Sequence, residues 1–197
     1  EKRENVLGTT DLSIVVTNDG EYTLTEGVGA EVDPTTLTTQ EILAKVKAAG
    51  IVGLGGAGFP THVKLAPKDP TAIKYVIANG AECEPYITCD DQLMRNYADE
   101  IVGGLKIMLQ LFPNAEGVVL IEENKPEAIA AVQKVCSNEN NIHVHPVHVK
   151  YPQGGERAIM DVVAGKHIKL GMLPADVGCV VDNVATVRAI YRAVAKS

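Results

Sequence analysis

Gly53, Gly55, Gly56 and Gly58 place four glycines within six residues of the stretch G-I-V-G-L-G-G-A-G-F-P-T-H-V-K, which runs from Gly50 to Lys64. Glycine lets a ligand approach the backbone closely and reaches positive φ without strain. Such a cluster therefore points to backbone amides facing something bulky or anionic. Lys64 offers a cation within reach of that group. A flexible surface turn needs one or two glycines, not four between apolar elements. A second polar loop, Asn79-Gly80-Ala81-Glu82-Cys83-Glu84-Pro85, directly follows an apolar run. Asn79 can donate and accept, and Glu82 and Glu84 can accept hydrogen bonds from hydroxyl or ring N–H groups. The same residues also suit a solvated acidic turn. In Tyr151-Pro152-Gln153-Gly154-Gly155-Glu156, two glycines precede an acidic helix start. That arrangement fits a carbonyl-rich ring or a phosphate, and equally a plain turn with a capped helix.

The glycines at 53, 55 and 58 also spell G-x-G-x-x-G. A dinucleotide turn of that spelling needs a strand before the first glycine and an uninterrupted helix after the last. Here the preceding segment reads as a helix. Thr38 as N-cap and Glu41 form a capping box, Ile42, Leu43, Val46 and Ala49 share a face, and Gly50 suits the position after the last turn. Pro60 is barred from a helix interior but suits a first turn. The expected device is a glycine-rich loop joining helix to helix, not a Rossmann turn.

From residue 38 onward, helical and strand patterns alternate. Strands are expected at Ile73–Ala78, Val118–Ile121, Ile142–Val149 and Gly178–Val181. One helix is expected over Asp91–Leu111, with Leu93, Ile101, Leu105 and Met108 inward. Another starts from a cap at Asn124, with Pro126 and Glu127 in its first turn and Ile129, Val132 and Val135 inward. Glu156–Val163 and Val184–Val194 complete the helices. This alternation predicts an α/β fold: a Rossmann-like, predominantly parallel sheet with helices on both faces, whose ligands collect at the carboxyl ends of the strands. Residues 38–197 would form that domain. Residues 1–37 read as a small β extension. Its hairpin would run from Leu12–Val16 through Asn18-Asp19-Gly20 to Tyr22–Leu24, with a loop over Glu26 to Pro34.

The 197 residues are 46% apolar and 22% charged with a net charge of −7, an ordinary globular composition. The negative balance disfavours nucleic acid and anionic membrane surfaces as partners, so a phosphate must be held by local amides and cations. No apolar run reaches the ~18 residues that suggest a bilayer-spanning helix. The opening at Glu1 rather than Met leads to the expectation of a piece of a longer protein. Cys83, Cys89, Cys136 and Cys179 show no C-x-x-C spacing, so structural thiols are expected and no iron–sulfur cluster within this chain. His143 and His145 share a strand face near His148, but Pro146 interrupts the register and no other ligands gather there. An edge strand is expected, and no metal.

The string G-x-G-G-A-G-F-P-T followed by Lys64 resembles the flavin loop of the NADH-binding flavoprotein of respiratory complex I. With A-N-G-A-E-C-E-P at Ala78 to Pro85, it resembles more fully the RnfC family of the Rnf electron-transport complex. Asp90-Asp91-Gln92-Leu93-Met94-Arg95, the Tyr151 to Glu156 segment and Leu173-Pro174-Ala175-Asp176-Val177-Gly178 extend the likeness over residues 40 to 194. The flavoprotein of propanediol-utilising cobalamin reductases is similar over the first motifs.

The resemblance implies noncovalent flavin mononucleotide (FMN) and NAD(H), with hydride exchange between them. It also implies [4Fe–4S] clusters outside this chain in the full-length protein. It places Gly53, Gly55, Gly56, Ala57, Gly58 and Phe59 against the flavin, and Lys64 beside its phosphate. Asn79, Glu82, Glu84, Tyr151, Gly154, Gly155, Glu156, Asn183 and Thr186 follow as further contacts, with Glu84 and Glu82 serving the reaction. Asn183 and Thr186 also suit turn and cap roles. The implied setting is an ion-translocating ferredoxin:NAD⁺ oxidoreductase, with the chain peripheral on the cytoplasmic face and held by the other subunits. A flavin-free docking module is the other reading. Relative to complex I, Leu54 replaces an Arg, Ala81 an acidic residue and Gly155 a Glu, and neither Ala66 nor Pro67 supplies the aromatic found after the loop lysine. These changes, all of which follow the RnfC pattern, remove charge and stacking surface from the nucleotide side, so the resemblance carries FMN further than NADH.

Overall fold

A computed structural model describes residues 1–23, 29–169 and 171–196. Two short strands, β1 (Lys2–Glu4) and β2 (Thr10–Leu12), pair antiparallel with Arg3 opposite Asp11. The hairpin thus lies N-terminal to the one expected. Its turn is organised by Asn5, whose Oδ1 accepts from Leu7 N at 2.9 Å and Thr9 N at 3.2 Å, with Gly8 at φ +74°. Residues 13–23 form no strand, because Leu12, Ile14 and Val16 find no apolar face to cover and stay 86%, 94% and 83% exposed. The Asn18-Asp19-Gly20 turn is present, with Gly20 N donating to Asn18 Oδ1. Leu24 and Glu26 to Val28 lie outside the described residues. Val32 N donates to Ala195 O at 2.9 Å, which ties the segment after them to the end of the chain.

The helix α1 (Thr39–Ala48) carries the expected capping box. Thr38 Oγ1 accepts from Glu41 N at 3.3 Å, and the Glu41 carboxylate accepts from Thr38 N at 2.8 Å. Gly50 follows the cap at φ +65°. After the glycine-rich loop come the single turn α2 (Thr61–Lys64), β3 (Tyr75–Gly80), α3 (Cys89–Asn96), α4 (Ala98–Leu109) and β4 (Glu116–Glu122). Then follow α5 (Pro126–Cys136), β5 (Ile142–Val147), α6 (Glu156–Ala164), β6 (Cys179–Asn183) and α7 (Val184–Ala195). No described helix is long and apolar enough to cross a membrane.

The four long strands form one parallel sheet in the order β5-β4-β3-β6. Alternate strand residues face two separate cores, as the pleat requires. Val76, Ala78, Val119, Ile121 and Val180 pack with α1, α4, α5 and α7, whereas Ile77, Val118, Leu120 and Val181 pack with Ile159 of α6. Helices therefore cover both faces, as expected for strands that are continuous apolar runs.

Three expectations are corrected. The single helix over Asp91–Leu111 is broken at Tyr97 (φ −138°, ψ 36°), whose ring lies 3.7 Å beneath the Arg188 guanidinium. The cap of α5 is Lys125 rather than Asn124, with Pro126 starting the helix. The strand of the histidines runs through Pro146, which pairs with Ile121, and ends at Val147; β5 lies at the sheet edge, where a missing N–H is tolerated.

Gly104 marks the closest helix contact. A Cβ there would lie 2.1 Å from Val187 O on α7. Gly104→Ala is expected to cost about 1–3 kcal/mol through forced separation of α4 and α7, read as a lower urea midpoint.

Candidate functional site

The chain leaves β3 toward β4 on one side, and the β5-to-β6 connection returns to the other side of β3. The order therefore reverses between β3 and β6, and ligands of such sheets gather in the crevice at the carboxyl ends of the strands beside that reversal. Both strands run further than the apolar pattern indicates. Asn79 pairs with Asn183, so polar residues expected in loops occupy the last ladder positions.

The glycine-rich loop closes over this crevice. At its neck, Val52 bridges Pro60, Gly53 N donates to Phe59 O at 2.9 Å and Thr61 N donates to Ile51 O at 3.1 Å. Gly58 sits at φ +68°, and Leu54 N donates to Thr186 Oγ1 at 3.0 Å. The loop passes so close above β6 that a Cβ at Gly55 would lie 2.8 Å from the Asn183 Cβ. Gly56 and Ala57 are exposed at its tip, and Phe59 and Tyr151 are 51% and 74% exposed on the rim.

Beneath the loop, Lys64 at the end of α2 donates to Val181 O at 2.7 Å. Its Nζ lies 3.1 Å from Asp182 Oδ1 and 3.6 Å from Glu156 Oε1. Burial pushes the Asp182 carboxyl up to about 6, opposed by Lys64, while Glu156 adds to the rise. Asn79 Nδ2 donates to Gly154 O at 2.9 Å and joins the loop after β3 to the loop before α6. A Cβ at Gly154 would lie 2.4 Å from Ala81 O, so only glycine allows this approach. Asn183 caps α7 by accepting from Ala185 N at 2.8 Å, and donates to Asp90 Oδ2 at 2.6 Å. Burial raises the Asp90 carboxyl, while the Asn183 hydrogen bond opposes the rise.

The acidic loop divides. Glu84 is exposed. Glu82 turns inward and takes the place of an N-cap side chain for α3, since Thr88 makes no cap bond. Its carboxylate accepts from Asp90 N at 2.9 Å, Cys89 Sγ at 3.2 Å, Asp91 N at 3.4 Å and Lys125 Nζ at 3.1 Å. Burial opposes ionisation of Glu82, but these hydrogen bonds prevail and hold it below the ordinary value. Glu82, Cys89 and Asp90 bring three ligand-type atoms within 4.8 Å of one another, yet Glu82 is already paired with the Lys125 ammonium and Asp90 with Asn183.

Several buried polar atoms lack a hydrogen-bond partner among the described residues: both Asp182 oxygens, the Gln153 amide, Thr61 Oγ1 and Glu122 Oε1. Asp182 pairs with Lys64 by charge, not through a well-aligned hydrogen bond. Buried groups of this kind are met by a bound water or ion, or serve the site itself. The glycine-rich loop held close above β6, the Lys64 ammonium and the unmet Asp182 carboxylate beside it suit a ligand carrying phosphate, hydroxyls and ring N–H groups, as FMN does. Asp182, Asp90 and Gln153 were not singled out from sequence. The signal available was a carboxylate closing the buried strand V-V-D-N.

The family described as the Nuo51 FMN-binding domain matches residues 46–192. The C component of the Na⁺-translocating ferredoxin:NAD⁺ oxidoreductase complex from Acetobacterium woodii is 40% identical over 186 residues, covering 94% of this chain and 42% of that protein. Its proton-translocating counterpart from Clostridium ljungdahlii is 42% identical over 182 residues, covering 92% and 40%. The C component of an ion-translocating oxidoreductase complex from Pseudomonas aeruginosa is 44% identical over 153 residues, covering 78% and 20%. The chain thus spans about two-fifths or less of the length of these relatives. An NAD⁺-reducing [NiFe]-hydrogenase in the H₂-reduced state contains a similar fold, with TM-score 0.68 at 24% identity over 82% of this chain and 32% of that one. With three-quarters of its length matched, the chain belongs to the Nuo51 FMN-binding domain family.

Proposed function

We propose that this chain is the electron-input flavoprotein domain of an ion-translocating ferredoxin:NAD⁺ oxidoreductase of the Rnf type, binding FMN noncovalently in the β3–β6 crevice. The observation that carries this reading is the convergence of the glycine-rich loop, Lys64, Asn79, the Gly154 turn and Asn183 on one switch point. Bound FMN would supply the ability to exchange a hydride with NAD(H) and release electrons singly to [4Fe–4S] clusters elsewhere in the longer protein. Residues 38–197 form the proposed binding domain, and residues 1–37 an extension to it.

Each residue's part follows from its position. The Gly53–Phe59 backbone approaches the ring system, and Lys64 meets the phosphate. Asn79, through Gly154, holds the loops on either side of the ring. Asn183 and Thr186 anchor the glycine loop, Glu156 stands at the open side of Lys64, and Glu82 keeps the acidic loop in place so that Glu84 faces the incoming nicotinamide nucleotide. The longer protein would sit peripherally on the cytoplasmic face, held by the membrane and iron–sulfur subunits. Relatives named as parts of ferredoxin:NAD⁺ oxidoreductase complexes favour this setting over a cobalamin reductase.

The test is anaerobic addition of NADH to the FMN-loaded chain, followed by bleaching of the flavin's visible band. Hydride transfer needs only ring and nicotinamide stacked at ~3–3.5 Å. Bleaching is the expected result; a bound flavin that NADH never reduces removes the dehydrogenase claim. Glu84→Ala is expected to slow bleaching more than it lowers FMN content, since Glu84 lies on the exposed rim.

A further inference from the structure

We propose that Asp182 is a proton-linked positioning residue: it holds the Lys64 ammonium in the crevice, and a phosphate monoester docking on Lys64 is bound together with a proton taken up by the Asp182 carboxyl. The inference rests on the reading of the crevice as the FMN phosphate site.

Asp182 occupies the second-to-last position of β6, with its side chain 1% exposed and neither oxygen in a well-aligned hydrogen bond. Lys64 is held by Val181 O, Asp182 and Glu156 together. These two carboxylates differ in freedom. The Glu156 side chain is 50% exposed and lies 3.6 Å from Nζ, so an arriving phosphate can displace it into solvent. Asp182 is fixed in the β6 ladder with its side chain buried and cannot leave. Docking therefore exchanges the single charge of Glu156 for a charge of about −1.5 to −2 on a phosphate monoester, which raises the cost of a second anion in the dry Asp182 site. The titratable groups facing Asp182 are Lys64 from α2 and Glu156 from α6; its ladder partner on β3 is Ala78.

Burial already places the Asp182 carboxyl at about 6, so little further interaction is needed to protonate it. The sign follows from linkage. Phosphate docking raises this value, so the Asp182-linked part of the affinity is full below about 6 and is lost as pH rises through the value in the complex. A rise of about one unit corresponds to a tenfold fall in affinity across that window.

The test is the carbon-13 NMR titration of the Asp182 side-chain carboxyl, assigned through its own backbone correlations, in the chain alone, with FMN and with riboflavin. The expected midpoint is near 6 alone, about one unit higher with FMN, and unmoved by riboflavin, which lacks the phosphate. In parallel, the pH profile of FMN affinity should lose up to tenfold of its fall in Asp182→Asn. The phosphate's own ionisation is common to both proteins and cancels in the comparison. An Asp182 midpoint that stays the same while flavin fluorescence is quenched overturns the proposal and leaves the flavin site intact. Absence of quenching at every pH defeats the reading of the crevice and the proposal with it.

Discussion

Glu82→Ala is expected to lower the unfolding free energy by about 3–5 kcal/mol, the usual cost of breaking a buried ion pair by removing one partner. The side chains of Glu82 and Lys125 are 3% and 12% exposed and lie 3.1 Å apart. Truncation leaves that ammonium buried without a counter-charge. It also orphans the Asp90 and Asp91 N–H groups at the start of α3, which no other side chain caps. The loss should appear as a lower urea midpoint, and an unchanged midpoint would mean that solvent reaches Lys125 freely. The pH dependence follows from the sign of the shift. Glu82 is held below its ordinary value of 4.5, so its contribution is present above that value and is lost as pH falls through the lowered one. Glu82→Gln should flatten the acid limb of the stability profile.

Lys64→Ala is expected to weaken FMN binding by about 1–3 kcal/mol, the range for a hydrogen bond to a charged group in a partly dry site. Lys64 is 23% exposed and is the cation at the centre of the crevice, already oriented by Val181 O. The substitution removes the attraction to phosphate and leaves Asp182 buried without its counter-ion. Riboflavin binding should change far less than FMN binding. Quenching of flavin fluorescence reads both, and equal losses for the two ligands would show that the substitution disturbed the loop rather than the phosphate contact.

What was legible in the sequence was local. The Thr38–Glu41 box and Gly50 mark the two ends of one helix, and both are present. The apolar strands and the helix-loop-helix setting of the glycines follow from period and from Pro60. What was not legible depends on partners far along the chain. Tyr97 breaks a helix because Arg188, which also binds Glu100 at 2.7 Å, stacks on its ring. Glu82 turns inward because Lys125 and the start of α3 converge on it. Asp182 acquires its character from Lys64, brought beneath the loop from another helix. The apolar pattern stops short of Asn79 and Asp182, which look like loop residues, although the parallel ladder extends through both. The N-terminal hairpin slipped because its alternating apolar residues cover nothing, and the side chain of Asn5 decides the turn.

The most direct test of the central claim is titration of FMN, FAD and riboflavin with this chain, followed by quenching of flavin fluorescence. Among the described residues the site offers Lys64 beside one glycine-rich loop, and no second such loop for an adenylate. The account predicts saturable one-to-one binding of FMN, tighter than that of FAD or riboflavin. Absence of quenching by any of the three, or tighter binding of FAD, would contradict it.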